Sequence, residues 1–142
     1  MELSVALARV RSNATELNQL SDALNESVRE IESSLNKLNL GIHVWVNVTK
    51  PEAPEDPTTY LEYRRYGSRY RVVVVTSPQS DPEDEDVRPW GDCSRAVKLE
   101  TIQKLPELIV KMGEEIESRR SSVEESLKLT TSVLAELNGE GE

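Results

Sequence analysis

The stretch LEYRRYGSRYRVVVV, residues 61–75, decides the fold because it has the pattern of a β-hairpin. Aromatic and β-branched residues, which are common in strands, lie on both sides of Gly67-Ser68, a pair suited to a two-residue turn with glycine first. On that register four pairs of residues face each other across the strands: Tyr66 with Arg69, Arg65 with Tyr70, Arg64 with Arg71, and Tyr63 with Val72. The hairpin therefore has one apolar face and one face rich in arginine and tyrosine.

A third strand precedes the hairpin. The segment GIHVWVNV, residues 41–48, alternates between apolar side chains and His43, Trp45 and Asn47, which is the two-residue period of a strand. A proline-rich acidic loop joins this strand to the hairpin, and a second acidic segment, residues 77–93, is predicted to be a loop. The middle of the chain is thus predicted to form a three-stranded antiparallel β-meander, residues 41–76, with its aliphatic face against helix.

The N-terminal part is predicted to form one long helix, residues 3–38. A leucine, valine or isoleucine recurs every seven residues from Leu3 to Leu38, and a second series of mostly small or apolar residues lies between them. Alternating steps of four and three residues are typical of a coiled-coil seam, here sustained for about five heptads. At about 1.5 Å per residue the helix is roughly 50 Å long.

The C-terminal part, residues 94–138, repeats the seam after a bend. A short helix is predicted before Pro106, and a long helix from Pro106 onward, because proline is tolerated in the first turn of a helix. The seam advances by three and four residues as far as Met112, and two successive steps of four, through Ile116, then place Arg120 on it. Such a stutter locally unwinds a left-handed supercoil.

Together these elements predict a single α+β domain over residues 1–142, with a short tail at 139–142. Two long antiparallel, coiled-coil-like helices flank the β-meander head. Because two helices bury only one seam, we expect the chain to self-associate, most simply as a dimer with a four-helix stalk. The residues predicted to form the oligomer seam are Leu17, Leu24, Val28, Ile31, Ile109, Ile116, Val123 and Leu127.

The composition limits the classes of partner. With 26 acidic and 17 basic residues the chain has a net charge of −9, which disfavours general attraction to nucleic acid or to an anionic membrane. No apolar run approaches the length of a membrane span, and the N-terminus lacks the apolar core of a secretory signal. We therefore expect a cytoplasmic protein without membrane association.

The arginine-rich face of the predicted sheet is the candidate binding surface. Its residues are Trp45, Tyr60, Arg64, Tyr66, Arg69 and Arg71. Interleaved arginines and aromatic rings can hold phosphates and stack bases, so an anion- or nucleic-acid-binding module is one hypothesis. The alternative is that the acids of the flanking loops neutralise the arginines and that the face meets protein.

The other reactive residues do not form a recognisable catalytic or metal-binding pattern. His43 is the only histidine and has no partner at ligand spacing, so it is interpreted as an ordinary strand residue. Cys93 precedes the short helix, whose dipole favours a thiolate, but Asp92 and the acidic loop oppose this. We therefore predict a non-enzymatic interaction or assembly protein, adaptor or structural, without cofactor or metal.

Overall fold

A computed structural model describes residues 2–49, 52–53, 56–78 and 83–139 of the chain. Its elements, in chain order, are α1 (Leu3–Lys37), β1 (Val44–Thr49), β2 (Thr58–Tyr66), β3 (Arg69–Ser77), β4 (Asp86–Pro89), the short 3-10 turn Trp90–Asp92, α2 (Arg95–Ile102) and α3 (Leu105–Leu137). The strands form an antiparallel sheet in the order β1-β2-β3-β4. The α+β class is therefore confirmed.

The β2–β3 hairpin has the register that the sequence predicts. Tyr63 pairs with Val72, and Arg64 lies directly opposite Arg71. The turn begins at Gly67, whose φ of 66° lies in the left-handed region that favours glycine. The two-residue turn thus determines which side chains of the hairpin share a face.

The prediction of three strands is wrong, because residues 86–89 form a fourth strand inside the segment predicted as a loop. β4 pairs with Val73–Thr76 of β3. Its four residues, DVRP, are too short and too polar to show an alternating pattern. Pro89 is tolerated because β4 is an edge strand, on which a missing N–H breaks no bond to a further strand.

One face of the sheet packs against the helices and forms the core. Its most buried aliphatic and aromatic residues include Val44, Val46, Leu61, Tyr63, Val72 and Val74. Val28 of α1 and Leu108 and Met112 of α3 pack against them, each at most 2% exposed. Helix α1 lies beside β3, and α3 lies beside β1 and β2, so each long helix has the sheet as its partner.

The bend before α3 follows the prediction closely. Ser94 caps α2 by accepting a hydrogen bond from the Val97 amide at 3.3 Å. Pro106 is the second residue of α3, where a missing N–H costs no intrahelical bond. Trp90, in the turn before α2, is buried and donates from Nε1 to the Lys98 carbonyl at 3.3 Å. It therefore anchors the segment that connects sheet and helices.

The far halves of the two long helices do not pack against each other within the chain. We call residues 3–20 the N-terminal arm and residues 113–137 the C-terminal arm. Leu17 of the N-terminal arm is 45% exposed, and Val123 and Leu127 of the C-terminal arm are 65% and 63% exposed. The expected antiparallel pair is thus absent from the single chain, because each helix packs on the sheet through the segment outside its arm.

The predicted seam residues fall into two groups. Val28 is buried in the core and Leu24 packs against it, so these two residues belong to the fold of one chain. Ile31 is half-buried, whereas Ile109 and Ile116 are 41% and 38% exposed. We call the sheet and the helix segments packed on it the sheet domain. The seam continues from the core of this domain onto the surface of the arms.

Candidate functional site

The face of the sheet opposite the helices, here called the outer face, carries the six residues predicted to form an interaction surface. By their register Trp45 of β1, Tyr60, Arg64 and Tyr66 of β2, and Arg69 and Arg71 of β3 all project from this side. They do not converge on one point. Trp45 lies on an edge strand, whereas Tyr66 and Arg69 form the pair at the hairpin tip.

The opposed arginines in the middle of the hairpin separate toward different acids. The Arg64 guanidinium lies 3.6 Å from Oε1 of Glu62 and 3.4 Å from Oε1 of Glu85. Arg71 instead lies 3.4 Å from Oε2 of Glu32 on α1. Because each arginine has its own carboxylate, two like charges can face each other across the strands without an added anion.

A polar cluster centred on Glu62 lies on the outer face between Arg64 and His43. The Glu62 side chain is only 8% exposed, and its Oε1 lies 2.6 Å from Nε2 of His43. His43, interpreted from the sequence as an ordinary strand residue without a partner at ligand spacing, thus has a hydrogen-bond partner in Glu62. Glu62 is almost twenty residues away along the chain, and the β1–β2 register, in which Glu62 lies opposite Trp45, brings it close to His43.

Trp45 is the more exposed of the two large exposed aromatic side chains of this face, at 48% against 39% for Tyr66. Its ring centroid lies 5.2 Å from that of His43, and Nζ of Lys111 on α3 lies 5.9 Å from it. A cation near the face of an indole ring is attracted by the ring quadrupole. Trp45 thus has two neighbours, while about half of its surface stays open to solvent.

Val73 and Val75 also project from the outer face but are 0% and 1% exposed. They lie between β2 and β4, where their cross-strand neighbours are Glu62 and Tyr60 on one side and Pro89 and Val87 on the other. The two valines are therefore already covered within one chain.

Glu32 closes an open edge of the sheet. Because β4 pairs with Val73–Thr76, the part of β3 nearest the hairpin tip has no neighbouring strand on that side among the residues that the structure describes. Oε2 of Glu32 accepts a hydrogen bond from the Val72 amide at 3.0 Å, and Arg71 donates to the same oxygen. A side chain of α1 thus replaces a strand at this position, which satisfies a backbone donor and covers the edge.

Cys93 is partly buried beside the edge strand. Its Sγ lies 3.5 Å from the Pro89 carbonyl oxygen. Burial raises the pKa of the thiol, although Arg88 and Lys98 act in the opposite direction. The thiol is therefore held in its neutral, weakly nucleophilic form, and the helix that follows does not activate it.

Over the described parts of the chain, no three histidine, cysteine or acidic residues are grouped so that they could bind a metal ion. In the same residues no helix combines the length and the apolar character that crossing a bilayer requires. No protein-family model, curated protein or solved structure matches this sequence or fold. The functional interpretation therefore rests on the chain's own geometry.

Proposed function

We propose that this protein is a non-enzymatic assembly protein that forms a dimer through its two helical arms. The observation that supports this proposal is the apolar seam that both arms carry into solvent. In the proposed dimer the arms of two chains form a four-helix stalk, and the sheet domain with its outer face is the head.

Both arms expose many apolar side chains to solvent. On the N-terminal arm they are Leu3, Val5, Leu7, Val10, Leu17 and Leu20, and on the C-terminal arm Ile116, Val123, Leu127, Leu129, Val133, Leu134 and Leu137. Contiguous apolar surface of this extent usually marks an interaction site. Their heptad spacing favours a helix as the partner.

A second copy of the chain is the partner that fits these stripes. Each copy supplies two arms, about 27 Å and 38 Å long at a rise of about 1.5 Å per residue. Two stripes of that length and about one helix diameter wide approach the roughly 800 Å² that each partner buries in a stable interface.

The charges of the arms favour pairing an N-terminal arm with a C-terminal arm. The N-terminal arm together with Glu2 contains two acids and two arginines and is neutral, whereas residues 113–137 contain six acids and three basic residues. Two C-terminal arms side by side would therefore bring together net negative charge. Placing the neutral arm between them reduces that repulsion.

Sedimentation of a double variant of the C-terminal arm tests the proposal. The unmodified protein is expected to sediment at twice the chain mass of 16.0 kDa. Val123→Asp combined with Leu127→Asp is expected to give a monomer, because charges placed in an apolar seam would be buried without a partner. Both residues are well exposed in one chain, so the circular dichroism of the sheet domain should not change.

The matched control places the same charges on the opposite side of the same helix. Ser118→Asp combined with Ser132→Asp should leave the dimer intact, since both positions lie about half a turn from the seam. A monomer of the unmodified protein at all concentrations would contradict the proposal. Equal dissociation by the control pair would contradict the role of the seam.

The alternative function, nucleic-acid binding by the outer face, has less support. Arg64 and Arg71 lie beside carboxylates of the same chain, which reduces the charge available to phosphates. The exposed aromatic side chains of the face are Trp45 and Tyr66. Trp45 already has His43 and Lys111 as neighbours, and Tyr66 lies apart from it at the hairpin tip. We therefore propose that the outer face meets protein, with Trp45 as its main contact.

A further inference from the structure

A groove with basic walls lies between α1 and the hairpin, at the edge of the outer face and outside the arms. Arg29 and Lys37 of α1 line one wall, and Arg69 and Arg71 of β3 line the other, around a volume of about 420 Å³. The acid among the lining residues is Glu32. In a chain with a net charge of −9, this is a local concentration of positive charge.

Half of this positive charge is not neutralised by the protein itself. Arg29 pairs with Glu26 at 3.1 Å, and Arg71 pairs with Glu32 at 3.4 Å. Glu32 is further occupied by the Val72 amide. Among the residues that the structure describes, Lys37 and Arg69 have no ion-pair partner, so the groove keeps two cations for a ligand.

The spacing of these cations favours an extended ligand. Arg29 and Lys37 are eight residues apart on one side of α1, which is about 12 Å along the helix axis. Arg69 and Arg71 are alternate residues on a strand, which places them about 7 Å apart along the opposite wall. Cations distributed in this way match the successive carboxylates of an extended acidic peptide better than a single small anion.

The groove also contains neutral polar groups that could bind the backbone of a peptide. Ser33 lies between Arg29 and Lys37 on α1, and Asn36 lies beside Lys37. The side-chain oxygen of Asn36 accepts a hydrogen bond from the Tyr63 hydroxyl at 2.8 Å. Its amide nitrogen therefore remains as a donor for a peptide carbonyl or carboxylate.

We infer that this groove binds an acidic peptide segment of another protein, with Lys37 and Arg69 as the main contacts to its carboxylates. All of its lining residues come from one chain. Binding therefore does not depend on the dimer proposed above, and the two proposals succeed or fail separately.

The test is a fluorescence-anisotropy titration with a labelled peptide of alternating glutamate and glycine. We expect saturable binding at low ionic strength that weakens as salt is added, because exposed charges are screened. A peptide with glutamine in place of glutamate should not bind. Lys37→Glu combined with Arg69→Glu should weaken binding by about tenfold or more, since it reverses two charges that face the ligand.

The control is Arg119→Glu combined with Lys128→Glu, which makes the same change of charge on the C-terminal arm. It should change the affinity by less than about twofold, because a distant exposed charge is largely screened. Equal weakening by both double variants, or equal binding of the glutamine peptide, would overturn the inference. Binding of inorganic phosphate without binding of the glutamate peptide would also overturn it, because the groove would then be a single-anion site.

Discussion

At the scale of single residues, Glu32 joins α1 to the sheet by accepting hydrogen bonds from the Val72 amide and from Arg71. Replacing it with alanine leaves the Val72 amide and Arg71 without their acceptor. We expect Glu32→Ala to lower the free energy of unfolding by about 1–3 kcal/mol, the usual effect of leaving a partly buried donor unsatisfied. Urea denaturation measures this change.

Glu30→Ala is the control, since Glu30 lies on the same helix and is exposed. Its effect should stay within about 0.5 kcal/mol, as for most surface substitutions. Equal losses for the two variants would mean that Glu32 acts only through helix propensity or net charge, and not through the edge of β3.

The thiol of Cys93 provides a second test at this scale. Because burial raises its pKa, the folded protein should react with iodoacetamide more slowly than free cysteine at neutral pH. The rate should rise with pH and reach its midpoint above that of free cysteine, since only the thiolate reacts. In urea the two rates should become similar. A folded protein that reacts faster than free cysteine would contradict this account.

Some contacts of single residues could be predicted from the sequence and others could not. The pairing of Arg64 with Arg71 follows from a two-residue turn and could be predicted from residues 61–75 alone. The contacts of Glu62 with His43 and of Glu32 with Val72 join residues that are far apart in the chain. No local period or motif indicates such contacts, because they depend on how separate elements pack.

At the scale of elements, the stutter in α3 is the position of the C-terminal arm where we expect a substitution to affect stability least. Arg120 lies at the phase slip and pairs with Glu124 at 3.2 Å and with Glu117 at 3.7 Å, and all three side chains are largely exposed. Exposed pairs of this kind contribute little to stability.

We therefore expect Arg120→Leu to be tolerated or to raise the melting temperature slightly, because an apolar residue then continues the seam. Thermal unfolding followed by circular dichroism measures the effect. A loss of more than about 2 kcal/mol would show that Arg120 belongs to a buried network in the assembled protein. Arg119→Leu, one position away, is the control and should show no gain.

The elements differ in how clearly the sequence specifies them. The long helices and the hairpin have strong periods, and their bounds are predicted to within a few residues. β4 has only four residues, and it becomes a strand because β3 offers it an open edge. Its existence is a property of the neighbouring strand, which no pattern in DVRP reveals.

At the scale of the whole molecule, each long helix has one segment that packs on the sheet and another, the arm, that is free for assembly. Val28 of α1 and Leu108 and Met112 of α3 are buried in the sheet domain, whereas the arms expose their apolar residues. A single chain therefore has a core of its own, and substitutions on the arms should affect assembly more than folding. For this reason the core position Leu24 is unsuitable for testing the dimer.

The same division explains what the sequence could not distinguish. A heptad seam looks alike whether its partner is a helix of the same chain, a helix of another chain or a sheet. The seam of α1 meets a sheet at Val28 and solvent at Leu17, without any change in its spacing. The period predicts that a helix has an apolar side, and the three-dimensional packing determines what covers it.

The contact between Glu32 and the Val72 amide has a consequence for hydrogen exchange. An amide within a sheet usually exchanges with solvent deuterium when its strand separates from the next strand. The Val72 amide is bonded to a helix side chain, so its exchange requires the Glu32 carboxylate to leave it, by rotation of that side chain or by movement of α1. The exchange rate of this one amide therefore reports how often this contact between helix and sheet opens, independently of whether the strands themselves open.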